Sequence, residues 1–262
     1  MKLKLALLAL LPATILLADH HEEKKEKPEK LYPDAPLIPG SDYTVHDTTR
    51  PQPRKVETKG AVSVTAPSDA SILFDGTNTD AWTGDWAVKD GILIASKGKF
   101  ETKQKFSDCQ IHLEYRIPAD RKVKGQGGGN SGVFLMGKYE VQVLESHTNK
   151  TYPDGQAGAM YGQYPPLVNP ATAQGEWQSY DIIFKAPISK DGEVVTPAQV
   201  TVLFNGVVVQ AAQDYLGPST HKKTTSYPKN HPEKGPIALQ WHGDPIEYRN
   251  IWIRDLGDYD QQ

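Results

Sequence analysis

From about residue 71 onward, apolar and polar residues alternate along the chain in short segments. Alternation with period two indicates strands that have one buried and one exposed face. Residues 86–95 and 200–210 each read as strand, turn and strand, and other segments are separated by the same kind of turn dipeptide. These dipeptides are Asp75-Gly76, Asp90-Gly91, Asp154-Gly155, Asp191-Gly192 and Asn205-Gly206. Because no segment has a sustained helical period, the sequence predicts an all-β sandwich or jelly roll.

The alternation also assigns each side chain to a face of its strand. In residues 109–117 the odd positions are apolar, and the even positions are Gln110, His112, Glu114 and Arg116. The same rule directs other side chains away from the core: Glu140, Gln142, Gln240, His242, Asn250, Trp252 and Arg254. If these strands are neighbours in one sheet, the outward side chains form a polar patch that can hold a sugar. An ordinary solvated face is the alternative.

The first 66 residues differ in composition from the rest of the chain. Residues 1–18 have Lys2 and Lys4 followed by an uncharged apolar run to Ala18, which is typical of a secretory signal peptide. An uncleaved N-terminal anchor is the alternative. Residues 19–66 are first charged and then rich in proline, which predicts a polar tether or a strap lying on the domain.

This division predicts one folded domain over residues 67–257 and a short tail at residues 258–262. With the signal removed, no apolar run is long enough to cross a bilayer. We therefore expect an exported protein, periplasmic or extracellular, without a membrane span in its mature form.

Composition excludes several functional classes. The 262 residues include 29 Lys and Arg and 32 Asp and Glu, and the formal net charge of −3 provides no basic field for DNA or RNA. The single cysteine, Cys109, can form neither an internal disulfide nor a thiolate metal site. We expect no nucleic-acid partner, and the polar strand faces favour a carbohydrate.

A glycine-rich run occupies residues 125–132. It lacks the Lys-Ser/Thr pair of a phosphate-binding loop and the Gly-x-Ser-x-Gly spacing of a nucleophile elbow. The run predicts a turn where the backbone approaches another group closely, with Asn130 beside it. A purely structural role for its glycines is equally open.

Glu140 is the principal candidate for acid or base chemistry. Its partner would be Glu114 or His242 from another strand, or Glu145 if the strand of Glu140 ends early. The alternative is that Glu140 only forms a hydrogen bond with a loop or pairs with Arg116. The chain has no His-Glu-x-x-His pair and no calcium loop, so no cofactor follows from a motif. A divalent metal held by Glu140, His147 and His242 stays open.

Aromatic residues near these motifs are candidates for sugar contacts. Residues 161–170 are too rich in proline for a regular strand and predict a rim loop that carries Tyr161 and Tyr164. Trp252 falls on the polar side of its strand, where its ring can stack on a sugar.

A set of short motifs occurs in order between residues 71 and 256. They include Leu73-Phe-Asp-Gly76, Trp86-Ala-Val-Lys-Asp-Gly91, Gly129-Asn-Ser-Gly-Val-Phe-Leu135, Tyr139-Glu-Val-Gln142, Gly158-Ala-Met-Tyr-Gly162, Gly175-Glu-Trp177, Leu203-Phe-Asn-Gly206, Gly235-Pro-Ile-Ala-Leu-Gln240 and Arg249-Asn-Ile-Trp-Ile-Arg254. Together they resemble the 3-keto-disaccharide hydrolase family. The resemblance covers nearly the whole predicted domain.

The resemblance implies a concanavalin-like jelly roll of two antiparallel sheets and an enzyme that cleaves or hydrates 3-keto-glycosides. It implies that Glu140 and His242 act as acid and base. The implied substrate contacts are Asn130, Gln142, Arg116 and Gln240. The strand pattern adds Glu114 and Trp252, and the predicted rim loop adds Tyr161. A non-catalytic carbohydrate-binding module is the alternative function, and a structural or adhesion domain is the third.

Overall fold

A computed structural model describes residues 31–257 of the chain. The expected signal peptide, the most highly charged part of the segment that follows it, and the C-terminal tail lie outside these residues. Within residues 31–257, no helix has the length and apolar character needed to cross a membrane.

The described chain contains sixteen short strands and two turns of 3-10 helix. The strands are β1 (Arg54–Lys55), β2 (Ser71–Phe74), β3 (Ala87–Lys89), β4 (Ile92–Ile94), β5 (Phe100–Glu101), β6 (Cys109–Arg116), β7 (Ser131–Leu135), β8 (Tyr139–Val143), β9 (Val168–Asn169), β10 (Gln178–Lys185), β11 (Ile188–Lys190), β12 (Glu193–Thr196), β13 (Gln199–Phe204), β14 (Val207–Asp214), β15 (Ala238–Leu239) and β16 (Glu247–Asp255). The 3-10 turns are Gly125–Gly127 and Pro153–Gly155.

Two antiparallel sheets form the body of the protein. The larger has eight strands in the order β14-β13-β10-β6-β16-β4-β3, with β2 also paired to β16. The smaller has four strands in the order β5-β15-β7-β8. Two strand pairs are separate: a β11-β12 hairpin, and a parallel β1-β9 pair that joins the N-terminal segment to the domain. The predicted all-β jelly-roll sandwich is confirmed.

Turn chemistry explains two of the hairpins. Asp90 and Gly91 between β3 and β4 have φ values of 52° and 74°, and Asn205 and Gly206 between β13 and β14 have 51° and 77°. Consecutive left-handed residues form the two-residue turn that matches the twist of antiparallel strands, and Asn-Gly or Asp-Gly adopts it at the least steric cost.

The core lies between the two sheets. Inward residues of β8 such as Tyr139 and Val141 pack with Phe184 and Ile182 of β10, and all four are fully buried. The ring centroids of Tyr139 and Phe184 are 5.6 Å apart. The Tyr180 hydroxyl donates to the Gln142 carbonyl at 2.6 Å, so a buried polar bond also joins the sheets.

The prediction of a single polar patch is wrong, because its members lie on two different sheets. Glu114 and Arg116 are on β6, and Trp252 is on β16, in the eight-stranded sheet. Glu140 and Gln142 are on β8 of the four-stranded sheet. Period two determines which way a side chain points from its strand, but it carries no information about which sheet the strand joins.

The outer face of the larger sheet is closed by residues 60–66. The Val64 carbonyl accepts a hydrogen bond from Trp252 Nε1 at 3.0 Å, and Ser63 Oγ donates to Glu114 Oε1 at 2.6 Å. Trp252 is only 1% exposed, and Glu114 is fully buried. Arg116 pairs with Glu247, and its guanidinium lies 4.7 Å from the centroid of the Trp177 ring. The expected sugar contacts of Glu114, Arg116 and Trp252 are therefore corrected to structural roles.

Glu114 is held as a carboxylate by several donors. Burial by itself raises the pKa of Glu114, but the His112 ring at 3.7 Å and hydrogen bonds from Asn250, Ser63 and Arg249 outweigh it and lower the pKa below its ordinary value. Arg249 donates at 2.7 Å and Asn250 at 2.9 Å. A buried carboxylate that is bonded in this way ties two strands and the covering segment together.

Replacing Glu114 by Gln should destabilise the protein by about 3 kcal/mol at pH 7, because Arg249 and His112 lose a buried partner. Urea unfolding monitored by tryptophan fluorescence measures this change. Because the pKa of Glu114 is lowered in the fold, its contribution is present above the unfolded value of 4.5 and is lost as pH falls below it. The difference between the two proteins should therefore shrink in acid.

A matched control is Glu101→Gln, because Glu101 pairs only with Lys99, whose side chain is 75% exposed. This variant should change stability by less than about 1 kcal/mol. Equal effects of the two substitutions would contradict the structural role assigned to Glu114.

Candidate active site

A cavity of about 580 Å³ opens on the outer face of the four-stranded sheet. This volume is within the range of ~300–1,000 Å³ that is usual for small-molecule sites. Five of the residues that the sequence predicts for the site line this cavity: Asn130, Glu140, Tyr161, Gln240 and His242. The walls also contain residues that the sequence did not single out, among them Tyr32, Gln126, Phe134, Tyr152 and His221.

Glu140 lies on β8 and points into the cavity from its floor. The residue is 5% exposed, and no basic side chain of residues 31–257 forms an ion pair with it. Burial therefore raises the pKa of Glu140 to about 8. A carboxyl group with this pKa is mostly protonated at neutral pH, and it is a stronger base than an ordinary carboxylate once ionised.

Gly132 on the neighbouring strand β7 makes room for this carboxyl group. A Cβ atom built on Gly132 would overlap Glu140 Oε1 and would lie 3.0 Å from Cδ and Cγ. Gly132 faces Gln142 in the β7–β8 register, and Phe134 faces Glu140. The glycine-rich run is therefore a place of close approach, as predicted, and the group that approaches it is the Glu140 side chain.

Side-chain amides surround the floor of the cavity. Gln142 is fully buried behind Glu140 and does not line the cavity, so its expected substrate contact is corrected to a supporting position. Its amide lies 3.0 Å from Gln126 Oε1. When the Gln142 amide nitrogen faces β7, it donates to the Ser131 carbonyl at 2.8 Å and to Glu140 Oε1 at 3.1 Å. Asn130 Nδ2 donates to the Gln126 carbonyl at 2.8 Å. These contacts fix the orientation of the amides before any ligand binds.

Backbone pairing places Gln240 and His242 beside β7. Gln240 N donates to the Gly132 carbonyl at 3.0 Å, and Ser131 Oγ donates to the Gln240 carbonyl. Ser131 Oγ also lies 2.6 Å from the hydroxyl of buried Tyr248. Gln240 is half-buried, whereas His242 is exposed at the rim. The chain after β15 therefore enters the cavity wall at a fixed register.

A hydrogen-bonded row of aromatic side chains forms another wall. The Tyr152 and Tyr161 hydroxyls are 3.0 Å apart, and the Tyr161 hydroxyl lies 3.0 Å from His221 Nδ1. Burial, more than any other cause, raises the pKa of both tyrosines. Partial burial and the neighbouring residues His46, Lys222 and His242 lower the pKa of His221. A neutral His221 can accept the Tyr161 proton, which leaves the Tyr161 oxygen to accept from Tyr152.

The sequence profile of one family, the 3-keto-alpha-glucoside-1,2-lyase-like domain, matches residues 69–254. The chain belongs to this family. The match covers the strands of the two main sheets except for the last residue of β16, and it includes the residues of the cavity floor.

Solved structures agree with this assignment. A candidate glycosyl hydrolase from Parabacteroides distasonis is 46% identical, with a TM-score of 0.70, and the alignment covers 73% of this chain and 86% of that one. Two further candidate glycosyl hydrolases from Parabacteroides distasonis are 20% and 23% identical, each with a TM-score of 0.52. Their alignments cover 72% and 71% of this chain and 94% and 99% of their own, and they share the fold. A comparison with curated proteins gives no match.

The family and the 46% identical relative support a glycoside-active enzyme.

Glu145 and His147, which the sequence predicts near Glu140, do not line the cavity. The Glu145 carboxylate accepts backbone hydrogen bonds from His147, Thr148 and Asn149. His147 Nδ1 lies 3.0 Å from the Ala171 carbonyl, beside a separate surface depression. Glu145 is therefore a loop-ordering residue rather than a partner of Glu140.

A metal site of Glu140, His147 and His242 is not assembled in this family member. In residues 31–257, no group of three or more His, Cys, Asp or Glu side chains is placed to hold a metal ion. The cavity itself offers Glu140, His221 and His242 as donors that are not grouped for coordination. The arrangement of residues 31–257 therefore does not fit a metal held by three protein side chains.

Several wall residues had little or no sequence signal. Tyr152 stands just before the Pro153–Gly155 turn, so only its place beside a turn could have marked it. Gln126 is inside the glycine-rich run, where the conformation of the loop decides which side chain faces the cavity. Tyr32 and His221 lie in irregular segments that have no regular alternation of apolar and polar residues, and only the tertiary structure brings them to the site.

Replacing Gly132 by Ala should displace the Glu140 carboxyl group while the fold is retained. Gly132 does not have a positive φ, so alanine adds no backbone strain. We expect a change in unfolding free energy of about 1–3 kcal/mol and a rotated Glu140 side chain. A crystal structure of the variant checks the carboxyl position. Gly257→Ala, where a Cβ meets open space, is the control. An unmoved carboxyl group would contradict the assigned contact.

The raised pKa of Glu140 predicts a pH-dependent effect of Glu140→Gln on stability. The folded protein keeps this proton up to about pH 8, whereas the unfolded chain loses it near pH 4.5. Wild-type stability therefore falls relative to the variant as pH rises from about 4.5 to 8, by a few kcal/mol at most. Thermal unfolding of both proteins at pH 5 and pH 9 measures the difference. A constant difference would show that Glu140 ionises normally.

Proposed function

We propose that this protein cleaves or hydrates 3-keto-glycosides in the cavity on the four-stranded sheet. The family profile supports this proposal, and so does the candidate glycosyl hydrolase that is 46% identical. The observation that carries it is the position of Glu140, a carboxyl group without a counter-charge at the floor of an amide-lined cavity. An oxidised sugar presents a proton that such a group can remove.

The proposed reaction begins at C2 of the sugar. A ketone at C3 acidifies the C2 proton, and ionised Glu140 takes it. The electrons of the C2–H bond form a double bond between C1 and C2, and the bond from C1 to the leaving oxygen breaks. The leaving oxygen takes a proton from an acid, and water then adds across the double bond to complete hydrolysis.

His242 is the proposed acid for the leaving group. It is at the exposed rim, whereas Glu140 is at the floor, so the two groups approach a bound ring from different sides. Gln240 supplies an amide donor and acceptor for the sugar hydroxyls, and Asn130 supplies its amide oxygen. The Gln126 amide is already bonded to Thr151 and the Gly155 carbonyl and supports the wall instead. The Tyr161 hydroxyl donates to His221 and accepts from Tyr152, so its remaining lone pair can accept a hydrogen bond from a sugar hydroxyl.

We also propose that the protein is exported. The support is the apolar run of residues 1–18 after Lys2 and Lys4. Mass spectrometry of the protein purified from its native cells identifies the mature N-terminus. A mature chain that still begins with Met1 would contradict cleavage of a signal peptide.

Release of a chromogenic leaving group from a 3-keto-α-glucoside tests the proposed activity. Glu140→Gln should reduce kcat by at least about a hundredfold, and His242→Ala by about tenfold or more. If Glu140 is the base, kcat/KM of the wild type should rise with pH and level off above about pH 8, because the ionised form accumulates there. A rate that falls through the same range would assign Glu140 as the acid.

Arg116→Met is the matched control, because Arg116 is on the outer face of the other sheet and should not affect turnover. The assay is run with and without chelator, which tests whether a divalent metal takes part. Binding of the keto-glycoside without release of the chromophore would favour a carbohydrate-binding module. Absence of both binding and release would contradict the proposal.

A further inference from the structure

The N-terminal segment of residues 31–50 is a folded part of the protein that precedes the family match at residues 69–254. Ile38 and Val45 are buried, at 1% and 0% exposure. Ile38 N donates to the Tyr43 carbonyl at 3.0 Å, and Val45 N donates to the Pro36 carbonyl at 2.9 Å. Buried side chains and internal hydrogen bonds give this segment a defined conformation on the domain.

His46 attaches the segment to two loops that wall the cavity. Its backbone N donates to Asp154 Oδ2 at 2.9 Å, and its ring stacks on Tyr152 with centroids 4.0 Å apart. His46 Nε2 accepts from Lys222 N at 3.3 Å. His46 has a φ of 59° and is fully buried, so a strained residue is retained where these contacts converge.

Tyr32 brings the segment to the cavity itself. It is half-buried and lines the same cavity as Glu140 and Tyr161. Its ring meets the His221 ring at an angle of 86° with centroids 5.7 Å apart, and Lys222 Nζ lies 3.9 Å from the centroid of Tyr32. An aromatic ring held by an edge contact and a cation is a rigid surface for a ligand.

The depth of the cavity indicates which part of a substrate Tyr32 would meet. The reacting sugar ring must reach Glu140 at the floor of the cavity, and Glu140 is only 5% exposed. The leaving group then points toward the opening, where the exposed residues His221 and Lys222 accompany Tyr32. We infer that residues 31–50 complete the substrate site and that Tyr32 is a specificity-determining residue that contacts the leaving group. This inference rests on the proposed function.

Two 3-keto-α-glucosides test it, one with a methyl leaving group and one with a second pyranose as leaving group. Tyr32→Ala should lower kcat/KM for the two-ring substrate by about three- to tenfold, as expected for the loss of one ring contact. Tyr32→Ala should change kcat/KM for the methyl glycoside by less than about twofold. Tyr32→Phe should retain the wild-type preference, because the ring rather than the hydroxyl makes the contact.

Tyr43→Ala is the matched control, because Tyr43 is in the same segment but packs near Arg50, 5.5 Å from its ring centroid. It should change neither substrate's kcat/KM. Equal losses on both substrates in Tyr32→Ala, or the same loss of preference in Tyr43→Ala, would overturn the inference. Thermal unfolding of each variant shows whether the segment is still folded.

Calorimetric binding of the unoxidised sugars separates this inference from the proposed reaction. Wild type should bind the disaccharide more tightly than methyl α-glucoside, and Tyr32→Ala should lose that difference. If this holds while no 3-keto substrate is turned over, the contact stands and the reaction fails. If turnover occurs but the wild type shows no preference for the larger sugar in rate or in affinity, the reaction stands and the contact fails.

Discussion

A buried carboxyl group without a neutralising partner is the constraint on which the proposed site depends. Glu140 and Glu114 are both buried glutamates on outward positions of their strands, yet their pKa values move in opposite directions. Around Glu114, hydrogen bonds from an arginine, an asparagine and a serine, together with a histidine ring 3.7 Å away, outweigh desolvation. Around Glu140 the neighbours are a glycine, a phenylalanine and an amide, so desolvation prevails. The same residue type is therefore a hydrogen-bonded carboxylate in one sheet and a carboxyl group with a raised pKa in the other.

The outer faces of the two sheets are covered differently, and the N-terminal segment takes part in both. Residues 60–66 lie along the larger sheet, where Val62 N donates to Ser179 Oγ and Val64 accepts from Trp252. Residues 31–50 stand beside the smaller sheet and leave its face open as a cavity. Between them, β1 pairs with β9 in parallel and fixes the path of the segment. One continuous stretch thus covers the polar face of the larger sheet and contributes to the wall of the cavity on the smaller one.

Local sequence was sufficient for the fold class and for part of the site. Period two and the Asp-Gly and Asn-Gly turns are properties of neighbouring residues, so they predicted the strands and hairpins, and the ordered motifs predicted the family. They also predicted that Glu140, Gln142 and Gln240 point away from the core. The error concerning Glu114, Arg116 and Trp252 arose because sheet membership is a long-range property: β6 and β16 pair with each other rather than with β8. Tyr32, Tyr152 and His221 were missed because loop conformation and segment docking, rather than any repeating pattern, bring them to the cavity.

The arrangement of neutral donors gives the proposed chemistry a physical basis. Removing a proton from C2 places negative charge on the ketone oxygen, and a charge that develops in a water-poor cavity is stabilised best by dipoles that are already oriented. The tyrosines remain protonated because burial raises their pKa, and the amides of Gln126 and Asn130 are held by backbone and side-chain bonds. A permanent cation next to Glu140 would lower its pKa and weaken it as a base. In the proposed reaction, the cavity-lining amide of Gln240 stabilises the oxyanion without adding a positive charge, so Glu140 keeps the basicity that proton removal requires.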